Sequence, residues 1–104
     1  MTLPPLYALR AFASAAQLGS FSQAAAALNV TPGAISRHIR TLEEWFDCQL
    51  FIRKGPKIEI STAGSVFAAQ LQAGFASLEQ ACSAFAQPGH QLRLKAPSKL
   101  TIDR

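Results

Sequence analysis

A chain of 104 residues, 49% of them hydrophobic, is long enough for one small domain with a core and one appended element, and too short for two complete domains. The formal net charge of +4 and the sequence pI near 9.6 are compatible with a polyanionic partner, although ordinary basic globular proteins have the same balance. No window of about 18 uncharged apolar residues occurs, which predicts no membrane span and favours a cytoplasmic protein.

The first predicted helix follows two prolines near the start of the chain. Pro4 and Pro5 are tolerated in the first turn of a helix, and Gly19 marks its end. Four apolar residues between them recur at helical spacing, namely Leu6, Leu9, Ala13 and Ala16. We interpret this stripe as the apolar face of the helix.

The next part of the chain predicts a helix-turn-helix. Ser22 is a good N-cap for a short alanine-rich helix from Gln23 to Leu28. Thr31 followed by Pro32 is a cap and first-position pair, and it starts a third helix that we expect to end near Asp47. A tight connection between two amphipathic helices is typical of a helix-turn-helix.

The third predicted helix has two distinct faces. Its apolar face consists of Ile35, Ile39, Leu42 and Phe46. Its polar face, roughly opposite, consists of Gly33, Ser36, Arg37 and Arg40, and it turns acidic at Glu43, Glu44 and Asp47. A basic N-terminal end suits a helix that enters the major groove of DNA by that end. Any amphipathic surface helix also exposes polar residues, so the neighbouring motifs are needed to favour DNA.

A basic hairpin is predicted after the third helix. Two short strands at residues 50–53 and 58–61 flank a tip at residues 54–57 that contains Gly and Pro. Its cations are Arg53, Lys54 and Lys57. We interpret them as flexible charges suited to phosphate or minor-groove contact, with ordinary solvated surface charge as the alternative.

A long helix is predicted from about Thr62 to Gln87, capped by Ser61 and stopped by Pro88 and Gly89. Its apolar residues from Leu71 onward are spaced four, three, four and three, which is the spacing of a heptad seam. With the preceding aromatic residue, the predicted dimerisation residues are Phe67, Leu71, Phe75, Leu78, Cys82 and Phe85. The alternative is that this face packs back on its own domain.

The sequence contains little that indicates a catalytic or metal-binding site. Ser36 and His38 are two apart on a helix and do not face each other, so the sequence does not indicate an enzyme and implies no cofactor and no metal. Cys48 and Cys82 match no metal-ligand spacing. We expect both cysteines to pack as small apolar residues, with a redox pair as the alternative.

The motifs together resemble those of the LysR-type transcriptional regulators, and the subgroup of the glycine-cleavage and beta-lactamase regulators in particular. The resemblance runs from about Leu3 to Ala96, and the motifs that carry it lie within Leu3 to Phe12, Phe21 to Leu28, Val30 to Glu43 and Leu50 to Gly64. It implies a mainly α fold, a winged helix-turn-helix of three helices and a two-stranded wing. It also implies a homodimer through the linker helix and a target of inverted-repeat promoter DNA.

The resemblance also implies a domain organisation. Residues 1–61 correspond to the DNA-binding domain, residues 62–89 to the linker or dimerisation helix, and residues 90–104 to the start of an effector-binding domain. Alternation in residues 91–96 predicts the first strand of that domain. We therefore expect a piece of a longer protein, whose small-molecule effector and higher oligomer depend on sequence beyond these residues.

The predicted DNA contacts follow from the helix-turn-helix and the hairpin. They are Ser22, Thr31, Pro32, Gly33, Ser36, Arg37, Arg40, Arg53, Lys54 and Lys57. Arg37 is expected to read bases, because arginine pairs bidentately with guanine. Pro32 stands where the family commonly has a base-reading glutamine. The rival hypothesis is a protein-interaction module that uses the long helix, with its basic residues serving solubility alone.

Overall fold

The computed structural model describes residues 2–55 and 57–86, and it confirms the mainly α winged helix-turn-helix. The elements in chain order are α1 (Leu6–Leu18), α2 (Phe21–Leu28), α3 (Pro32–Phe46), β1 (Phe51–Lys54), β2 (Lys57–Ile60) and α4 (Thr62–Ala86). The chain divides after Ala73 into two units, and each is described by itself. None of the described helices is long and apolar enough to cross a bilayer.

The first three helices all end on a residue in the left-handed conformation. Gly19, Asn29 and Asp47 have φ angles of 68°, 61° and 54° respectively. The left-handed residue turns the chain sharply and lets its own N–H close the last helical turn. These endings explain how α2 and α3 follow one another with so few connecting residues.

The N-caps correct one prediction. Thr31 caps α3 as predicted, since its Oγ1 accepts from the Ala34 N–H at 3.1 Å. The cap of α2, however, is Ser20, whose Oγ accepts from the Gln23 N–H at 3.1 Å. Ser22 lies inside α2 and is exposed, so the prediction that it caps this helix is wrong. The helix begins earlier because Gly19 completes the turn out of α1 one residue before Ser20.

The buried face of α1 differs from the predicted stripe. The residues that α1 buries are Ala8, Leu9, Ala11, Phe12 and Ala15, whereas Leu6 is 61% exposed. Of the predicted stripe, only Leu9 is buried, and Ala13 and Ala16 are half-buried. The helix is apolar on nearly every side, so its periodicity does not single out one face. Alanines on the buried face present little side-chain bulk to the elements packed around them.

Phenylalanine rings in contact with one another form much of the core of the first unit. Phe12 lies at its centre, with ring centroids 5.5 Å from Phe51 and 5.3 Å from Phe67. Phe51 also meets Phe21 edge-to-face at 5.3 Å, and Phe46 meets Phe67 at 5.1 Å. Edge-to-face and offset arrangements of this kind add stabilisation beyond the apolar area they bury. The rings therefore connect all three N-terminal helices to β1 and to the start of α4.

The two strands pair antiparallel, each displaced by one residue from its predicted position. Phe51 pairs with Ile60 and Lys54 pairs with Lys57 at the tip. Gly55 provides a left-handed residue there, with φ of 61°. The predicted first strand residue, Leu50, is instead buried before β1 begins.

Ser61 anchors the start of α4, as predicted. Its hydroxyl donates to the Gln49 carbonyl at 2.7 Å and accepts from the Gly64 N–H at 2.9 Å. Gly64 is buried against Leu50, so closely that an added Cβ would collide with the Leu50 carbonyl oxygen. A single turn of helix is thereby fixed against the base of the hairpin.

Both cysteines are exposed, so their predicted burial as small apolar residues is wrong for the chain by itself. Cys48 follows the left-handed Asp47, where the chain leaves α3 for β1. Its neighbours in sequence, not in space, made it look buried. The predicted helix stop at Pro88 and Gly89 and the predicted strand at residues 91–96 lie outside the described residues.

Candidate nucleic-acid interface

The two faces of α3 are separated as the sequence predicts. Ile35, Ile39 and Leu42 are buried. Arg37 and Arg40 are exposed on the opposite face. A helix fixed to the core by three aliphatic side chains and exposing two arginines can approach a polyanion without losing its packing. Phe46 is an exception on the apolar face, because it remains 41% exposed beside Phe67.

The N-terminal turn of α3 presents almost no side chain. Thr31, Pro32 and Gly33 are exposed, and the nearest atom to an added Cβ on Gly33 is Thr31 Oγ1 at 3.9 Å. Pro32 occupies the first helical position, where its missing N–H costs nothing. The backbone of this turn can therefore come close to another molecule. The first long side chain on this face of α3 is Arg37.

Ser36 and Arg53 are joined directly, although they are far apart in sequence. The Arg53 Nη2 donates to the Ser36 Oγ at 3.1 Å. Arg53 also lies over the Phe21 ring, with its guanidinium carbon 5.5 Å from the ring centroid, which is within the range of a cation–π contact. Arg53 therefore has one partner on α2 and one on α3, which the interpretation as a flexible charge does not include, and its side chain remains exposed.

The two lysines of the hairpin differ from each other. Lys54 forms an ion pair with Glu59, its Nζ 3.2 Å from Oε1, and both side chains are well exposed. Within residues 2–55 and 57–86, Lys57 forms no ion pair. Exposed ion pairs are weak, so Lys54 stays available to another anion, but Glu59 offsets its charge locally. Of the two lysines, Lys57 is the one whose positive charge is not offset by a neighbouring carboxylate of the described residues.

A cleft brings several predicted DNA contacts together. It has a volume of about 510 Å³ and is lined by Gly19, Ser20, Phe21, Ser22, Arg53, Lys57 and Ile58. Ser22 thus shares a surface with two cations of the wing, although it does not cap the helix. Apart from Lys54, which does not line the cleft, the predicted site residues fall into two sets, one at α3 and its N-cap and one along this cleft, with Arg53 linking them.

Glu43 has a role that the sequence analysis missed. Its Oε2 accepts from the Leu50 N–H at 2.9 Å and from the Phe51 N–H at 3.3 Å. The carboxylate therefore satisfies the backbone where β1 begins and joins the end of α3 to the wing. The sequence places Glu43 at the acidic end of the exposed face, and the structure instead turns it toward the hairpin. No local pattern indicates a bond across seven residues of chain.

The predicted dimerisation residues lie in two different environments. Phe67 packs on Phe12 and Phe46 inside the first unit, and these contacts account for its apolar character without a second chain. Farther along α4, Leu71 and Phe75 are half-buried, and Leu78 is 54% exposed. Cys82 and Phe85 are also exposed.

In the part of the chain that the structure describes, no group of three metal-ligating side chains occurs.

Comparison with known sequences places these elements in a family. The family model described as "Bacterial regulatory helix-turn-helix protein, lysR family" matches residues 6–65. The AhcY transcriptional activator HvrB of Rhodobacter capsulatus is 44% identical over 79 residues, which are 76% of this chain and 27% of HvrB. The HTH-type transcriptional activator AmpR of Citrobacter freundii is 40% identical over 91 residues, 88% of this chain and 31% of AmpR. The chain thus spans less than a third of the length of these curated relatives.

A solved structure agrees with the sequence comparison. One solved structure is the crystal structure of the BenM_DBD/catB site 1 DNA complex, whose protein is 28% identical to this chain. The two superimpose with a TM-score of 0.72, over 77% of this chain and 89% of that one. The similarity reaches beyond the helix-turn-helix itself. The chain belongs to the lysR family of bacterial regulatory helix-turn-helix proteins.

Proposed function

We propose that this chain is the DNA-binding segment of a transcriptional regulator that binds inverted-repeat promoter DNA as a homodimer. In this proposal α3 enters the major groove and the wing contacts the backbone or the minor groove. The observation that carries it is the division of α3, with three buried aliphatic residues on one face and the exposed Arg37 and Arg40 on the other. The likeness to BenM_DBD, whose structure contains DNA, supports it.

The proposed dimer forms through α4. Its heptad spacing and the exposure of Leu78 in a single chain support this assignment, because a seam of apolar residues is stabilised when a second helix covers it. Effector binding and higher oligomers are proposed for the longer protein, through sequence outside the described residues. A DNA partner implies that the protein works in the cytoplasm.

The direct test is a fluorescence anisotropy titration of the 104-residue chain with the DNA upstream of its own gene, against a scrambled duplex. We expect tighter binding to the upstream duplex, with affinity falling linearly on a logarithmic salt scale as phosphate contacts release counterions. Binding to neither duplex would contradict the proposal. Salt-insensitive self-association without DNA binding would instead support the protein-interaction module.

The first prediction concerns base recognition by Arg37. Pro32 and Gly33 leave the start of α3 without a long polar group, so Arg37 is the side chain best placed to read bases. We expect Arg37→Ala to cost roughly 1–3 kcal/mol of binding free energy on the preferred duplex and less on the scrambled one. Arg40→Ala, one turn farther along, is the control and should weaken both alike. If Arg37→Ala lost the same binding free energy on both duplexes, Arg37 would contact the DNA backbone and would not read bases.

The second prediction separates the two wing lysines. Lys57→Ala should weaken binding to all duplexes about equally and lower the salt slope by about one, as expected for the loss of one phosphate contact. Lys54→Ala should have a smaller effect, because Glu59 already offsets that charge. Glu59→Gln should therefore raise affinity. Titrations at four or more salt concentrations measure the slopes, and an unchanged slope in both lysine variants would remove the wing from the interface.

A further inference from the structure

We infer that Arg53 is a positioning residue that fixes the hydrogen-bond polarity of Ser36, so that the recognition helix presents a donor at this position. The inference rests on the proposed function, since it assigns a recognition task to a side chain of α3. It changes the role of Arg53 from a mobile phosphate contact to a part of the surface that discriminates bases.

The alternation of β1 determines where Arg53 points. Phe51 is buried among the rings of Phe12 and Phe21, and Arg53 lies two residues later on the same face of the strand. Lys54 lies on the opposite face, where it meets Glu59. Because the packing of Phe51 fixes the register, the Arg53 side chain is directed toward the helices.

Two contacts then orient the guanidinium group, although the side chain remains exposed. The Phe21 ring lies 5.5 Å from its central carbon, and the Ser36 Oγ lies 3.1 Å from its Nη2. A planar guanidinium that stacks on one side and donates at its edge has its orientation restricted by both contacts. Lysine could not reproduce this arrangement, because its ammonium is a point charge without a plane.

The hydrogen bond has a fixed direction, and the direction has a consequence for Ser36. A guanidinium has only donors, so the serine oxygen must be the acceptor. The hydroxyl hydrogen then points elsewhere and is available to a second acceptor. The serine oxygen keeps a second lone pair, but the adjacent positive charge disfavours the approach of another donor to it.

The expected DNA partner of Ser36 is therefore an acceptor. In the major groove the acceptors are purine N7, guanine O6 and thymine O4, whereas the adenine N6 and cytosine N4 amino groups are donors, and cytosine alone offers no acceptor. A serine with no fixed partner can contact either kind of group. The Arg53 contact thus converts a permissive side chain into one that disfavours cytosine at the base edge it meets.

The test uses the upstream duplex with each base pair of one half-site replaced in turn by the other three. The variants are Ser36→Ala, Arg53→Met and the double variant, and the readout is the affinity ratio among base pairs at each position. We expect each single variant to reduce the preference at one and the same position by about three- to tenfold, the effect of one hydrogen bond. The double variant should lose no more than either single variant.

Two control variants separate positioning from charge. Lys57→Met removes one positive charge from the same hairpin without touching Ser36, so it should weaken all duplexes equally and leave every ratio unchanged. Ser36→Thr keeps the hydroxyl oxygen and should keep the preference. If Arg53→Met behaves like Lys57→Met, with uniform losses and an intact preference, Arg53 is a phosphate contact and the inference is wrong.

A second measurement on the free protein makes the inference independent of the operator. In amide correlation spectra, Arg53→Met should shift the Ser36 and Phe21 resonances, and Lys57→Met should not. Unmoved Ser36 and Phe21 resonances in Arg53→Met would overturn the positioning role even if DNA binding is normal. Failure of the wild-type chain to bind any duplex would refute the proposed function and, with it, the donor role of Ser36 toward DNA.

Discussion

Replacing Leu78 by glutamate is expected to convert the proposed dimer into monomers and to weaken binding to a duplex with two half-sites by about 10²- to 10⁴-fold. Leu78 is the exposed centre of the proposed seam. A carboxylate there would lose its water where the two helices meet, and two such charges would face each other in a symmetric dimer. Binding to a duplex with a single half-site should be almost unchanged, because each winged domain stays intact.

The matched control is Gln80→Glu, which adds the same charge to the same helix at a position outside the seam. Sedimentation velocity at high micromolar concentration measures the association state, and anisotropy measures binding to the two kinds of duplex. A parent chain that sediments as a monomer would show that the seam is not a dimer interface. Dimers of the Leu78→Glu variant would place the interface elsewhere.

Gly64→Ala is expected to lower the free energy of unfolding by about 1–3 kcal/mol or more, the range of overpacked core positions. The added methyl group would collide with the Leu50 carbonyl oxygen and would approach Ile60 Cγ1 to 2.9 Å. A backbone oxygen cannot rotate away as a flexible side chain can. Relief therefore requires α4 to move off the hairpin, which also lengthens the bonds of the Ser61 hydroxyl.

Gly74→Ala is the control for this prediction, because it lies in the same helix and has no atom within 4 Å of an added Cβ. Alanine is the better helix former, so Gly74→Ala should raise the free energy of unfolding by up to about 1 kcal/mol. Thermal and urea unfolding followed by circular dichroism compare the two variants. If they change stability in the same direction, the contact at Gly64 is not the cause of the loss.

Local turn chemistry made most of the fold predictable. The pair Thr31 and Pro32 and the cap Ser61 are recognisable from neighbouring residues alone, and the structure has both. The cap of α2 was misassigned because two serines lie close together. The distinguishing signal was present, since Ser20 follows a glycine and has Gln23 three residues later, as in a capping box.

The candidate site was less predictable because it depends on contacts between elements. The three wing cations look alike in sequence, and only the strand register separates Arg53, which is directed at the helices, from Lys54, which pairs with Glu59. Register depends on which residue the core buries, and Phe51 decides it here. Glu43 is a similar case, because its partners are backbone groups of another element.

The anchoring of β1 by Phe51 and Glu43 has an evolutionary consequence. Both anchors lie before the hairpin tip, so the tip can change in length or sequence, provided that it still turns the chain as Gly55 does, without changing the face of β1 on which Arg53 lies. Substitutions in the tip can therefore change the affinity of the wing for DNA while the Arg53–Ser36 contact is kept. Affinity and base preference become traits that selection can adjust separately.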